Sequence, residues 1–163
     1  MFKVGIITAS DKGFKGERED ESGELIKEIM SSNGYKVETW NILPDERYEI
    51  SKEIINMCDN LKLDLIFTTG GTGFSPRDWT PEATLDVIDR QAQGISEAMR
   101  YYSLQITPRA MLSRGVSGIR GETLIINLPG SPKAVKENLE FILTALQHGL
   151  EILKGIAGEC ARK

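Results

Sequence analysis

The sequence contains few of the residues that cross-link small proteins or bind zinc. It has two cysteines, Cys58 and Cys160, and one histidine, His148, in 163 residues. Two cysteines so far apart do not make a disulfide framework, and a single histidine gives no basis for a zinc site of the cysteine and histidine type. A chain of this length buries enough apolar surface to fold without such devices. We therefore expect the fold to depend on an ordinary hydrophobic core.

Long apolar runs and an excess of basic residues are also missing. The longest apolar run is a handful of residues, whereas a membrane-spanning helix needs ~20, and VGIIT follows the first residues without a signal-peptide pattern. We expect a cytoplasmic protein without a membrane span. The sequence has 20 Lys and Arg against 24 Asp and Glu, a net charge of -4. This balance argues against a surface that binds nucleic acid, which requires clustered basic residues. Small anions remain compatible, because backbone N–H groups, helix N-termini and a bridging metal ion bind phosphate without altering the net charge.

Short apolar runs alternate with helical spacings along the whole chain. Apolar runs rich in β-branched residues predict strands at 3–8, 36–43, 64–69, 116–120 and 122–128. The last two are joined by a tight connection, so one strand should be antiparallel. Helical spacing predicts helices at 22–33, 46–61, 81–90, 96–104 and 132–153, with Asp45, Thr80 and Ser131 as capping residues. The alternation predicts a single domain over residues 1–163, an α/β fold in which a three-layer α/β/α sandwich contains a mostly parallel, mixed sheet.

Four loops are expected at one edge of this sheet. They follow the first, second, third and last strands and read TASD, PDER, TTGGTG and LPGSPK. In parallel sheets, ligands bind beyond the carboxyl ends of the strands, at a crevice where the strand order reverses. This edge is therefore the predicted ligand site.

The segment TTGGTGFSPRDWTPEAT, residues 68–84, has three glycines in four positions directly after an apolar run. Gly70, Gly71 and Gly73 lack β-carbons, so the backbone can adopt positive φ and present its N–H groups to an anion. The spacing is not a Walker A loop, because no lysine follows, and it is not a dinucleotide fingerprint, because Pro76 occupies the third glycine position. The turn indicates a phosphate site of another type, with a tight strand-to-helix turn as the alternative.

Asp45 and Asp78 fall at the same predicted edge. A carboxylate close to bound phosphates would repel them unless a cation lay between. Mg²⁺ prefers one or two carboxylates together with phosphate oxygens and water. The pair therefore predicts a magnesium site, with a helix N-cap for Asp45 and a turn residue for Asp78 as the alternatives.

The chain resembles the molybdenum cofactor biosynthesis family of the Mog and MoaB type, in its molybdopterin adenylyltransferase branch. The resemblance rests on the glycine-rich segment 68–84 together with VGIITASDK, LPDER and LSRGVSGIRGETLIINLPGSPKAV. The resemblance covers the chain from Lys3 to about Leu153. It implies an α/β/α fold, a homotrimer, and transfer of AMP from Mg²⁺-ATP to the terminal phosphate of molybdopterin with release of pyrophosphate. Molybdenum or tungsten would be inserted afterwards by a molybdenumtransferase, and no tightly bound organic cofactor is implied.

The resemblance also implies roles for residues by their position. Catalysis and metal binding are implied for Asp45 and Asp78. The implied nucleotide turn is Gly70, Gly71, Thr72 and Gly73. The implied second phosphate-facing turn is Pro129, Gly130 and Ser131. The implied pterin pocket contains Ser10, Asp11, Ser113 and Arg114.

The scarcity of histidine fits the implied chemistry. A phosphate monoester has a second pKa of ~6, so the attacking oxygen is largely ionised at neutral pH and needs no strong general base. The barrier lies in bringing two polyanions together, which is a task for positioned amides and a metal ion. Two alternatives remain: a non-catalytic molybdopterin-binding relative, and a Rossmann-type redox protein, which fits the fold class alone.

Overall fold

The structure, a computed structural model, describes residues 1–157, so Cys160 and the end of the expected domain lie outside the described residues. Within the described part, one sheet is formed by β1 (Lys3–Ala9), β2 (Lys36–Leu43), β3 (Leu65–Thr69), β4 (Arg90–Gln91), β5 (Ser117–Arg120) and β6 (Thr123–Leu128). The order across the sheet is β2-β1-β3-β6-β5-β4. β1, β2, β3 and β6 run parallel, whereas β5 is antiparallel to β6, and β4 to β5. The mixed sheet predicted from the sequence is confirmed.

Helices cover both faces of the sheet. They are α1 (Asp11–Phe14), α2 (Glu21–Ser32), α3 (Arg47–Ile55), α4 (Thr80–Leu85), α5 (Gln93–Leu104) and α6 (Pro132–Leu153), with a π-helical turn at Asn56–Asn60 and a 3₁₀ turn at Pro108–Leu112. α2, α5 and α6 pack on one face, and α3 and α4 pack on the other. No helix among residues 1–157 is both long enough and apolar enough to cross a membrane.

Alternate residues of the central strands build two cores. Ile6 and Phe67 face α2, α5 and α6, whereas Ile7 and Ile66 face α3 and α4, and all four side chains are fully buried. Burial of each such side chain contributes about 1.5–3 kcal/mol. Because both faces are covered, the central strands are apolar on both sides, which explains the unbroken apolar runs in the sequence. The three-layer α/β/α sandwich is confirmed.

The helix after β2 begins later than the sequence predicted. α3 starts at Arg47 with Glu46 at its N-cap, and no side chain caps it. Asp45 lies one residue further out, where its carboxylate accepts a hydrogen bond from the backbone N–H of Asp11. The N-cap alternative for Asp45 is therefore wrong, because a tertiary contact takes its carboxylate away from the helix.

The helix after the glycine turn also differs from the prediction. Thr80 is its first residue, Trp79 occupies the N-cap position, and the helix ends at Leu85 rather than near Arg90. The N–H of Asp89 donates to a carbonyl oxygen of β5, and Arg90 pairs with the same strand, so sheet pairing replaces the last predicted turns. The predicted capping hydroxyl of Thr80 is buried and makes no hydrogen bond.

Two helix N-termini border the carboxyl edge of the sheet. Ser131 caps α6 as predicted, because its Oγ accepts from the N–H of Ala134 at 3.3 Å. Asp20 caps α2, where its Oδ1 accepts from the N–H of Gly23 at 2.9 Å. The strand order reverses between β1 and β3, since the chain places β2 on one side of β1 and β3 on the other. The fold therefore leaves an opening at the position where α/β proteins bind ligands.

Candidate functional site

A polar cleft of about 480 Å³ occupies this opening. It lies between the ends of β1 and β3 and is bordered by the first residues of α2 and α6. All four loops expected at this edge contribute to its lining, through Ser10, Asp45, Gly70, Gly71, Asp78, Gly130 and Ser131 among others. The strand order thus brings together loops that are distant in sequence.

Gly70 and Gly71 adopt left-handed backbone conformations, with φ of 88° and 67°. A β-carbon on Gly70 would collide with the carbonyl oxygen at the end of β1, and one on Gly71 would collide with the hydroxyl of Thr80. Gly73 does not have positive φ, but a β-carbon there would lie 3.0 Å from Asp78 Oδ2. The positive φ expected for this turn is confirmed at the first two glycines and wrong at the third, where the missing side chain makes room for a carboxylate.

The glycine turn and the turn after β6 are in direct contact. Thr69 Oγ1 donates to the carbonyl oxygen of Pro129 at 2.7 Å, and a β-carbon on Gly130 would lie 3.4 Å from the α-carbon of Gly70. Ser22, near the start of α2, donates to the carbonyl oxygen of Gly130 at 2.7 Å. The two turns that were predicted to face phosphate therefore form one continuous wall of the cleft.

Asp45 and Asp11 are joined by two hydrogen bonds, each from the backbone N–H of one residue to the carboxylate of the other. The N–H of Asp11 donates to Asp45 Oδ2 at 2.9 Å, and the N–H of Asp45 donates to Asp11 Oδ1 at 3.0 Å. Arg77 donates to both carboxylate oxygens of Asp11, at 2.6 and 3.1 Å, and to Glu46 Oε1 at 2.7 Å. These four residues, which we call the loop clamp, connect the loops that follow β1, β2 and β3.

The two aspartates of the loop clamp differ in their electrostatics. The hydrogen bond from Arg77 lowers the pKa of Asp11 below its usual value, and the bond from the Asp45 N–H lowers it further. Burial raises the pKa of Asp45, and the negative charges of Asp11 and Asp78 add to that rise. Asp45 is therefore a half-buried carboxylate whose ionised form is disfavoured by its surroundings.

The donor set of the cleft fits a magnesium ion that is bound only partly by the protein. Asp45 and Asp78 both line the cleft, close enough for the charge of one to raise the pKa of the other. Asp45 Oδ1 has no hydrogen-bond partner among residues 1–157 and lies 3.4 Å from where a β-carbon on Gly71 would be. The same range contains no cluster of three or more His, Cys, Asp or Glu side chains suited to a metal. Two carboxylates suit Mg²⁺, which keeps several waters and takes further ligands from phosphates.

A second cavity, of about 260 Å³, lies on the other side of the turn after β6. It is enclosed by α5, the 3₁₀ turn and the start of α6, and Ser131 borders both this cavity and the cleft. Its lining is mixed, with Met99 beside the polar side chains of Arg100, Ser113 and Asn127. A ligand that extended from one cavity into the other would pass Ser131.

The four residues that the resemblance assigned to the pterin pocket lie in different places. Ser10 lines the cleft, and Ser113 lines the second cavity. Asp11 belongs to the loop clamp, outside the lining of either cavity. The guanidinium of Arg114 lies behind the glycine turn, in contacts with protein groups. Two of the four side chains therefore face a cavity, and two are engaged by other residues of the chain.

Arg114 braces the glycine turn. The backbone N–H of Arg114 donates to the carbonyl oxygen of buried Thr72 at 2.8 Å. Its guanidinium donates to the carbonyl oxygens of Gly73 at 2.8 Å and Asp78 at 2.7 Å, and it pairs with the carboxylate of Glu82. The backbone from residue 72 to residue 78 is thus attached to one side chain from the loop before β5.

Asp20 and Asn127 are two residues of these cavities that the sequence did not single out. Asp20 Oδ2 accepts hydrogen bonds from the hydroxyl of Thr8 and, at 2.9 Å, from Trp40 Nε1. Asn127 Nδ2 donates to Thr68 Oγ1 at 2.9 Å within the sheet. An asparagine inside the apolar run LIINL is a signal that was available for Asn127, whereas Asp20 is hidden within the charged run KGEREDE.

Residues 5–148 match the sequence model of a family described as a probable molybdopterin binding domain. The chain belongs to this family. Among curated relatives, the molybdopterin adenylyltransferase of Helicobacter pylori strain J99 is 44% identical over 155 residues, which are 93% of this chain and 88% of the relative.

Solved structures of similar proteins have the same fold. The molybdopterin biosynthesis enzyme MoaB from Thermus thermophilus is 50% identical and superposes with a TM-score of 0.90, over 95% of this chain and 98% of that chain. The tungsten cofactor synthesizing protein MoaB from Pyrococcus furiosus is 38% identical with a TM-score of 0.83, over 94% and 97%. The fold class expected from the resemblance is confirmed.

Gly70→Ala should destabilise the protein. A left-handed backbone costs alanine about 1–2 kcal/mol, and the clash with the carbonyl oxygen at the end of β1 adds to that cost. Gly94→Ala is the matched control: Gly94 lies in α5 with open space around it, so the same change should stabilise by about 0.4–1 kcal/mol. Urea unfolding of both variants measures the difference. If Gly70→Ala were as stable as the unsubstituted protein, the strained geometry of the turn would be contradicted.

Asp45→Asn should raise the stability of the free protein at neutral pH by on the order of 1 kcal/mol. The folded state raises the pKa of Asp45, so its ionised form favours unfolding, and asparagine removes that charge while keeping an acceptor for the Asp11 N–H. The gain should be largest above the raised pKa and should shrink as the pH falls through it, because the folded carboxyl is then protonated. Denaturant unfolding at several pH values without divalent ions tests this, and a less stable variant at pH 7 would refute it.

Proposed function

We propose that the protein is a molybdopterin adenylyltransferase, which transfers AMP from ATP to the terminal phosphate of molybdopterin and releases pyrophosphate, in molybdenum or tungsten cofactor biosynthesis. The observation that carries this proposal is the convergence of Asp45, Asp78 and two contacting glycine-containing turns in one cleft. The curated relative of that name, at 44% identity, supports the same activity.

The main-chain groups of the cleft support ATP as the nucleotide substrate. Gly70 and Gly71 have the left-handed backbone that turns successive N–H groups toward an anion. Ser131 opens the 22-residue helix α6 at the same cleft, and a helix N-terminus favours phosphate. We infer that the α-phosphate of ATP lies against residues 70–73, with the turn at residues 129–131 opposite.

Mg²⁺ held by Asp45 and Asp78 is part of the proposal. When bound, the ion would supply charge neutralisation and polarisation of the transferred phosphoryl group. The remaining charged lining of the cleft is mostly acidic, with Glu19, Asp20 and Glu21 against Arg18. A triphosphate would be repelled by such a lining, so its binding requires a cation that the two carboxylates hold in place.

The second cavity is proposed to hold the pterin ring. Ser131 lines both this cavity and the cleft, so a ring beside Arg100, Ser113 and Asn127 would lie next to the cleft that contains the glycine turn. The attacking phosphate oxygen is largely ionised at neutral pH, with a second pKa of ~6, so these residues need not remove a proton. Their task is to hold two phosphates in line and exclude water.

The proposal includes the setting of the enzyme: a single domain over residues 1–163, cytoplasmic, in a homotrimer. Exposed apolar side chains on α5, on the segment after it and on α6 support self-association. They are Tyr101, Leu104, Ile106, Met111, Leu112 and Phe141, which we call the apolar patch. The product carries no metal, so it would pass to a molybdenumtransferase.

Incubation of the protein with molybdopterin, ATP and Mg²⁺ should produce adenylylated pterin and pyrophosphate. Asp45→Asn and Asp78→Asn should each lower kcat by about 10²-fold or more, because each removes a fixed charge from the metal site. Asp59→Asn, at the opposite edge of the sheet, is the matched control and should retain activity. Undiminished AMP transfer by the doubly substituted protein would overturn the proposal. Pterin binding without nucleotide binding in calorimetry would instead indicate a non-catalytic relative.

Sedimentation equilibrium should give a mass three times the 18.1 kDa of one chain. Met111→Lys introduces a charge into the apolar patch and should lower that mass, because an unpaired charge is costly to bury. Ile156→Lys is the control, since Ile156 is similarly exposed, at 71% against 63% for Met111, but lies after α6 outside the patch. A monomeric unsubstituted protein, or a trimer that Met111→Lys leaves intact, would contradict the assignment of this interface.

A further inference from the structure

Asp11, like Arg114, does not lie where the resemblance implied. The resemblance placed it in the pterin pocket, yet both of its carboxylate oxygens are engaged by protein donors, from Arg77 and from the N–H of Asp45. It also lies outside the lining of the cleft and of the second cavity. A carboxylate held in this way is directed at its neighbours in the chain rather than at a substrate.

We propose that Asp11 and Arg77 are positioning residues, which orient the carboxylate of Asp45 toward the glycine turn. The kinetic consequence of this inference rests on the proposed adenylyl transfer. Its geometric content, the fixed orientation of Asp45 by the loop clamp, does not depend on the reaction.

The loop clamp fixes Asp45 at two points. The N–H of Asp11 holds Asp45 Oδ2, and the carboxylate of Asp11 holds the N–H of Asp45, so the side chain and the main chain of Asp45 are tied to one residue. Asp45 Oδ1 is then left beside Gly71, 3.4 Å from where a β-carbon on that residue would be. Rotation of the Asp45 side chain would break its bond to Asp11. The carboxylate is therefore oriented before any ligand arrives, which is what a site for charged substrates requires.

Arg77 offsets the negative charge of the other three members of the loop clamp, which are all acidic. It lies between the carboxylates of Asp11 and Glu46 and donates to both. A planar guanidinium binds a carboxylate through two parallel bonds and so fixes direction as well as charge, which lysine does not do. Arg77 also directly precedes Asp78, so the same two ion pairs restrain the second proposed metal ligand.

A comparable ion pair elsewhere in the molecule provides the contrast. Arg120 pairs with Asp59 through two bonds, at 3.1 and 2.7 Å, near the opposite edge of the sheet. Single exposed ion pairs contribute little to folding stability. Loss of either pair should therefore change the melting temperature little, and only loss of the pair within the loop clamp should change the reaction.

The test compares Asp11→Asn, Arg77→Gln and Arg77→Lys with the control Asp59→Asn. We expect the first three to lower kcat for AMP transfer by about 10- to 100-fold, because a misplaced carboxylate loses alignment. The dissociation constant for molybdopterin, from fluorescence titration, should stay within about twofold, because no residue that lines either cavity is changed. The kcat of the double variant Asp11→Asn/Arg77→Gln should be no lower than that of the less active single variant, since both changes disrupt the same set of contacts.

Amide hydrogen exchange gives a readout that does not depend on activity. The N–H of Asp45 should exchange at least ~10-fold faster in Asp11→Asn and Arg77→Gln than in the unsubstituted protein, because its acceptor is weakened or displaced. Asp59→Asn should leave this exchange rate and kcat unchanged. Melting temperatures close to that of the unsubstituted protein would exclude general destabilisation as the cause.

Two results would overturn the inference. An increase of about tenfold in the molybdopterin dissociation constant of Asp11→Asn, with unchanged kcat, would make Asp11 a substrate contact. Unchanged kcat, binding and amide exchange in all variants would make the clamp an ordinary surface ion pair. If the unsubstituted protein transfers no AMP, the proposed function fails, whereas faster exchange of the Asp45 N–H in the clamp variants would still support the clamp.

Discussion

Negative charge crowded at one edge of the sheet is the constraint on which this site depends. Asp45 and Asp78 face the same cleft, and burial together with neighbouring carboxylates raises the pKa of Asp45. Such repulsion persists only where the surrounding structure holds the charged groups in place. Here Arg77 offsets the charge of Asp11, while the buried strands fix the loops on either side. The ionised free site is therefore electrostatically unfavourable, and the proposed Mg²⁺ would offset its negative charge.

Features that depend on neighbours in sequence could be predicted from the sequence. The observed range of β2, Lys36–Leu43, is the predicted one, because alternation of side chains along a strand is a local pattern. Ser131 caps α6 as expected, since a capping hydroxyl reaches an N–H only three residues away. The alternation of strands and helices predicts a mostly parallel sheet, so the edge that holds the cleft could also be predicted.

Contacts between distant residues could not be predicted in the same way. Asp11 and Arg77 are 66 positions apart, and their ion pair exists because the strand order places the loops after β1 and β3 side by side. Asp45 has the sequence pattern of a helix cap, but the N–H of Asp11 competes for its carboxylate. The resemblance implied a substrate contact for Arg114, but carbonyl oxygens of the glycine turn satisfy its guanidinium. Which group a charged side chain contacts therefore depends on how the loops are placed in the folded protein.

Several energetically unfavourable features of the fold lie at or next to the glycine turn. The glycine turn has a left-handed backbone, Asp45 is a half-buried carboxylate, and the buried hydroxyl of Thr80 beside Gly71 has no hydrogen-bond partner. Within residues 1–157, the other buried side-chain polar atom without a partner is the hydroxyl of Tyr35, before β2 at the opposite edge. One helical turn from Thr80, the hydroxyl of Thr84 is satisfied. These unfavourable features coincide with the proposed ligand site, where a bound ligand would supply the missing partners.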